Sequence, residues 1–213
     1  MKLLSSALLI SAFIFSAFST ADIEGIKYKR YKYKSGFIEY KFTGDQTGSE
    51  TLYFDDYGMK VAKYTNATLK FGKAVTPINK LDLIKNGYQF IIDLLTNTGN
   101  RTPDPTLNSL EEGEEHDLTK LEEETLIELG AMKIGTEVVA GKKCDVWEMP
   151  NINMKIWLWE GFTLRNTTKI PGLSEINLVA WDVKMDIPVP EDKFRIPLGA
   201  NITEDDKDMK FDE

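Results

Sequence analysis

The sequence predicts a mainly β protein of the α+β class: an antiparallel sheet of short consecutive strands with one amphipathic helix laid against it. Three observations predict this. Polar and apolar residues alternate with a period of two through most of the chain, and turn residues interrupt the alternation at short intervals. A single segment, Asp117 to Leu129, instead carries apolar residues at spacings of three and four. The run Ile156-Trp157-Leu158-Trp159 is apolar on both faces of a strand and needs cover on both sides.

The first element is an address. Met1 and Lys2 precede an apolar run from Leu3 to Phe18, and Ser19-Thr20-Ala21 stands before the charged Asp22. A basic start, an apolar core of about 15 residues and small residues ahead of the cut fit a secretory signal peptide over residues 1–21. A bilayer-spanning helix wants about 20 apolar residues. The mature chain is expected to begin at Asp22 and to work in the periplasm. With Asp22 where a lipoprotein would carry cysteine, neither a lipid anchor nor stable membrane insertion is expected.

The 192 residues after Ala21 suit one domain, 22–199, followed by an acidic tail, 200–213, expected to be disordered. Net charge is −8 over the whole sequence, and beyond the signal 25 basic residues face 34 acidic ones. That balance disfavours nucleic acid and anionic membranes, both of which need a basic footprint. Acid concentrates in Glu111 to Glu124 and Glu204 to Glu213, and a basic run, Lys27 to Lys34, opposes it. Cys144 is the single cysteine, so no intramolecular disulfide forms and the fold stands on packing. The Asn-x-Thr sequons at Asn66, Asn166 and Asn201 are too short to carry an argument. The chain is expected to be a monomer.

Strands follow in order from Ile26. Phe37 to Phe42 alternates, Thr43 to Gly48 turns the chain into Glu50 to Phe54, and Asp55-Asp56-Tyr57-Gly58 makes a hairpin into Met59 to Tyr64. Thr68 to Phe71 and Tyr88 to Leu94 are further strands, the second introduced by Asn86-Gly87, while Pro77 and Pro188 mark breaks or edges. Thr96 to Pro105, rich in Asn, Thr, Gly, Pro and Asp, reads as a surface loop. The helix comes next. Asp117 or Thr119 can cap it, Glu122 completes a capping box with Thr119, and Gly130 ends it. Leu118, Leu121, Leu126 and Leu129 need a sheet to lie on. Glu137 to Ala140, Cys144 to Met149, Met154 to Trp159, Phe162 to Lys169 and Ile176 to Asp186 then form a meander through short turns.

Motifs that carry chemistry are absent from this reading. There is no G-x-S-x-G elbow, no phosphate-cradling glycine loop and no H-E-x-x-H helix. His116, the single histidine, sits among carboxylates without a second His or Cys at ligand spacing and reads as a solvated loop residue rather than a metal ligand. Cys144 lacks a base in its sequence neighbourhood and reads as a buried structural thiol. The chain is read as a non-enzyme that holds no metal and no cofactor.

Three blocks carry a family likeness: Gly141-Lys142-Lys143-Cys144, Trp157-Leu158-Trp159-Glu160-Gly161-Phe162-Thr163-Leu164, and the closing Val189-Pro190-Glu191-Asp192-Lys193-Phe194-Arg195-Ile196-Pro197. With the meander and the mid-chain helix they resemble the LolA-like periplasmic lipoprotein-carrier superfamily, over roughly Ile26 to Leu198. The resemblance implies a curved antiparallel half-barrel covered by one or two helices, enclosing a cavity that holds lipid chains. No functional residue of the characterised carriers maps onto this chain.

Two functions remain open at this point. In the first, a soluble periplasmic carrier binds an acyl chain, a lipid or a lipidated protein in an apolar cavity under the helix, lined by Trp157, Trp159, Trp181, Leu164, Leu121 and Leu129. In the second, the tryptophans fill a closed core and the protein is an envelope structural or protein-interaction module without a ligand.

Overall fold

The computed structural model describes residues 27–110, 115–170 and 174–204; the expected signal peptide and residues 205–213 of the acidic tail lie outside them. The elements run β1 (Lys27–Lys29), β2 (Gly36–Gly44), β3 (Gln46–Asp55), β4 (Lys60–Phe71), β5 (Ala74–Lys85), β6 (Tyr88–Asp93), β7 (Thr98–Pro103) and β8 (Glu115–Asp117). After them come α1 (Leu121–Glu128), β9 (Met132–Val139), β10 (Lys142–Met149), β11 (Met154–Trp159), β12 (Phe162–Ile170), β13 (Ser174–Met185) and β14 (Asn201–Glu204). Twelve of these strands form one sheet in the order β14-β7-β6-β5-β4-β3-β2-β13-β12-β11-β10-β9, and β1 pairs with β8 in parallel beside it. The expected fold class is therefore the observed one, a large curved antiparallel sheet with one α-helix.

Two meanders, β2 to β7 and β9 to β13, are joined where β13 pairs antiparallel with β2. Tight hairpins set their register: Asn86-Gly87, Ala140-Gly141 and Glu160-Gly161 each place two consecutive residues at positive φ, the backbone that a two-residue turn between right-twisted strands requires. Pro77 lies within β5 yet costs the sheet nothing, because β6 pairs only with Lys80 to Lys85 and leaves the Pro77 stretch as a local edge. The sheet curls at its far end. There β9 approaches β13, and Val139 shares a core cluster with Ala180.

Several local expectations are corrected. Thr68 to Phe71 is the end of the long β4 rather than a separate strand, and it pairs with the start of β5, a strand the alternation did not reveal. Thr96 to Pro105, read as a loop, contains β7, since β6 offers it a ladder and Asp93 Oδ1 accepts the Leu95 and Thr96 N–H groups in the intervening turn. The tail read as disordered contributes residues 201–204 to β14. That strand pairs parallel with β7, Ile202 packs on a core cluster, and Arg101 pairs with Glu204. The helix is shorter than expected and carries no side-chain cap; the Thr119–Glu122 capping box does not form, and Asp117 Oδ1 accepts the Thr119 N–H instead.

The core is divided. One cluster gathers Ile38, Tyr40, Phe54, Val61, Cys144, Val146, Trp157, Phe162, Leu164 and Ala180. A second, on β4 to β6, is closed by the segment after β13, whose Phe194 is fully buried among Leu81, Leu83, Phe90 and Ile92. Tyr64 and Lys85 hold that strap by donating to the Lys193 and Phe194 carbonyls. Burying Phe194 contributes roughly 1.5–3 kcal/mol. In a third cluster Leu126, the buried residue of α1, rests on Trp147, Met149, Met154 and Leu158.

Candidate functional site

A buried ion pair ties down the segment that walls the site. Asp104 is fully buried and accepts from the Tyr28 hydroxyl at 3.1 Å and from Arg30 Nη2 at 2.9 Å, while Arg30 also donates to Thr106 Oγ1 at 2.9 Å. Burial is the largest influence on Arg30 and opposes its charge, but Asp104, Tyr31 and Tyr28 together outweigh it and hold the guanidinium more firmly protonated than usual. Burial, reinforced by the Asp104 carboxylate, pushes the Tyr28 phenol up. Main-chain bonds extend the anchor: Arg30 and Tyr31 N–H donate to the Tyr57 carbonyl, and Leu118 N–H donates to the Lys29 carbonyl.

Beside this anchor lies an open cleft of about 680 Å³. One wall is Lys29, Tyr31 and Lys32, following β1, with Asp117, Thr119, Lys120 and Glu123 from the approach to α1 and its first turn. The other is Thr136, Lys143 and Asp145 from β9 and β10, then Leu158, Trp159, Glu160 and Gly161 at the end of β11. Tyr31 and Leu158 are nearly buried and form its floor with Trp159. The Trp159 ring is held by Tyr33, stacked with centroids 5.5 Å apart, and by Lys142 Nζ at 4.7 Å. Tyr31 stacks on Phe162 at 4.2 Å, and burial pushes its phenol up to about 12.

Charge in the cleft is balanced, four lysines against four carboxylates. Lys32 pairs with Glu160 at 3.2 Å and Asp145 with Lys133 at 2.7 Å. The bond from Asp145 raises the Lys133 ammonium, and the bonds from Thr119 lower the Asp117 carboxyl. A smaller recess of about 250 Å³ lies at Thr51, Tyr53, Tyr64, Asp192 and Lys193.

The six residues expected to line one apolar cavity are dispersed. Trp157 and Leu164 are spent in the same core cluster, and the Trp157 Nε1–H donates to Glu137 Oε2 at 2.9 Å with the Arg165 guanidinium 4.2 Å from its ring. Trp181 is 63% exposed, at a register shift between β13 and β2. Leu129 is also exposed and Leu121 is half-buried, whereas Trp159 lines the cleft. The expected greasy lining also fails on the face shared by Ile38, Leu52, Lys63 and Asp82, where Lys63 lies 3.7 Å from Asp82 and Thr65 donates to a buried Glu50. Glu122 of α1 interacts electrostatically with Lys63 and Arg30, and burial pushes its carboxyl up. Helical spacing located the leucines, but the sheet's curl and the strand bulges decided which of them face anything.

His116 sits in β8 opposite Tyr28 and is half-buried. Among the described residues no three His, Cys, Asp or Glu side chains gather as a metal site. Cys144 is buried, its thiol donates to the Lys142 carbonyl at 3.5 Å, and burial pushes its pKa up. The basic run from Lys27 to Lys34 was the sequence signal for one wall of the cleft; its balancing acids come from three distant segments.

No family model and no curated protein matches the sequence. Among solved structures, an uncharacterized conserved protein from Thermus thermophilus superposes with a TM-score of 0.51 at 10% identity, over 81% of this chain and 91% of that one. That likeness is one of fold. MucB in the Pseudomonas aeruginosa MucA/MucB complex gives 0.43 at 10% identity, over 76% of this chain and 55% of that one. LprF from Mycobacterium bovis gives 0.34 at 8% identity, over 75% and 89%.

Proposed function

We propose that this chain is an exported, non-catalytic binding protein of the cell envelope that docks a partner protein along the free edge of its sheet. One observation carries the reading. Of the twelve large apolar residues exposed in the described structure, five (Ile127, Leu129, Met132, Ile134 and Val138) fall between residues 127 and 138, at the end of α1 and on the terminal strand β9. Apolar exposure concentrated in this way marks an interaction surface rather than scattered surface leucines. The outer side of β9 has no strand partner among the described residues, and its charges do not guard it: Lys133 turns back to Asp145, and Glu137 to Trp157 and Arg165. An extended segment of a partner can add its backbone to such an edge.

A photo-crosslinking residue placed at Val138 in the native envelope is expected to trap one discrete protein, while the same residue at Val75, also well exposed on β5, does not. Equal labelling at both positions, or none at Val138, overturns the reading. An acyl chain or lipidated protein is the second reading, favoured by β11, whose Trp157 and Leu158 are both buried although they point to opposite faces. Uptake of a fluorescent fatty acid at micromolar concentration supports that reading, and its absence removes it.

A further inference from the structure

We infer that the cleft between the β1 segment and β9 to β11 binds a neutral oligosaccharide. The cleft shares Thr136 of β9 with the docking strand but none of the five exposed apolar residues, and sugar binding and crosslinking at Val138 are measured separately, so either can fail alone.

The chemistry of the walls selects the ligand. The lining carries as many lysines as carboxylates; Lys32 is paired with Glu160, and Asp145 with Lys133 just outside the lining. An ionic ligand therefore meets as much repulsion as attraction, and no net potential draws it in. A hydrocarbon chain fares worse, because it would lie against charged groups and strip their water without replacing the lost hydrogen bonds. A sugar hydroxyl both donates and accepts, so a carboxylate and an ammonium side by side satisfy it, with charge-assisted bonds to each. The Asp117, Thr119, Lys120 and Glu123 wall supplies such alternating donors and acceptors within seven consecutive residues.

The floor supplies the other half of sugar recognition. Half-buried Trp159, beside the nearly buried Tyr31 and Leu158, supplies an apolar strip, the surface on which the C–H face of a pyranose packs. The strip is rigid. Trp159 is clamped by Tyr33 and Lys142, Tyr31 is stacked on Phe162, and the segment carrying Tyr31 is moored by the Arg30–Asp104 pair. A site fixed before binding loses little freedom on occupation. The opening suits a hydrated ligand that keeps part of its water, and about 680 Å³ falls within the roughly 300–1,000 Å³ of small-ligand sites.

The test is calorimetric titration of the mature protein with chitotriose, cellotriose and maltotriose, alongside indole Nε1–H shifts by NMR. At least one trisaccharide is expected to bind with a Kd of about 1 mM or tighter. Its affinity should hold within about twofold as salt rises tenfold, since no net charge is neutralised. The indole signal lost in Trp159→Phe should be the one that moves, and Trp159→Ala should weaken binding about tenfold. Lys143→Ala, at an exposed position that leaves folding intact, should weaken it severalfold, whereas Trp181→Ala should not change it. No binding of any trisaccharide, shifts confined to another indole, or an affinity that collapses with salt overturns the inference.

Discussion

Removing Asp104 should unfold more of this protein than its single carboxylate suggests. Asp104→Ala deletes the acceptor for the Tyr28 hydroxyl, for Arg30 Nη2 and for the Thr106 N–H, at a position with no solvent exposure. Arg30, whose side chain is 11% exposed and whose Nε already has no partner, is left as a buried charge held by Thr106 Oγ1. Breaking a buried pair from one side costs about 3–5 kcal/mol, because the surviving charge keeps its desolvation penalty. The orphaned Tyr28 hydroxyl adds about 1 kcal/mol or more, not strictly additively. We expect a loss near 4 kcal/mol in urea unfolding and a Tm lower by roughly 10 °C for a domain of this size. The double variant Asp104→Leu with Arg30→Met removes both charges and should recover most of the loss. A single variant that loses less than about 1 kcal/mol, or a double variant no better than the single, refutes this account of the anchor.

Four further outcomes are expected. Trp157→Phe should cost about 1 kcal/mol more than Trp147→Phe by chemical denaturation, because both rings are buried but the Trp157 N–H bonds Glu137 while the Trp147 N–H has no partner. Gly48→Ala should cost about 3 kcal/mol, since φ is +134° and a Cβ would sit 2.3 Å from the Asn66 carbonyl. Gly72→Ala, at φ +58° with open space around it, should cost about 1 kcal/mol in the same assay. Burial raises the Glu122 carboxyl above its ordinary 4.5, so the unfolded chain ionises first and stability falls as pH climbs through that window. Glu122→Gln should therefore be more stable than the parent near pH 7 and no more stable near pH 4, and a gain of equal size at both pH values would contradict that origin.

Much of the sheet was legible because its signals are local. Alternation in Phe37 to Phe42 and the two-residue turns at Asn86-Gly87 and Glu160-Gly161 report backbone geometry through neighbouring residues, and those strands appeared where expected. β7 and β14 were not legible, since Thr98 to Pro103 and Asn201 to Glu204 have little β character of their own and are strands because an adjacent edge offers hydrogen bonds. The helix was placed by its leucines, but its burial was misjudged. Leu126 faces the sheet, Leu129 faces solvent, and Glu122 is drawn into a buried setting where Arg30 and Lys63 act on its charge.

The order of residues alone determined the class of fold, the second meander and the two-sided burial of β11, because these follow from side-chain period and turn chemistry over a few residues. Tertiary structure decided where the hollows lie. The bulges beside Leu158 and Trp181 and the curl of β9 toward β13 redirect side chains by whole faces, so Trp157 and Leu164 became core and Trp181 became surface. The cleft likewise exists through contacts among segments from residue 29 to residue 161. A one-residue register shift reverses which face a side chain occupies, and no local pattern records such a shift between distant strands.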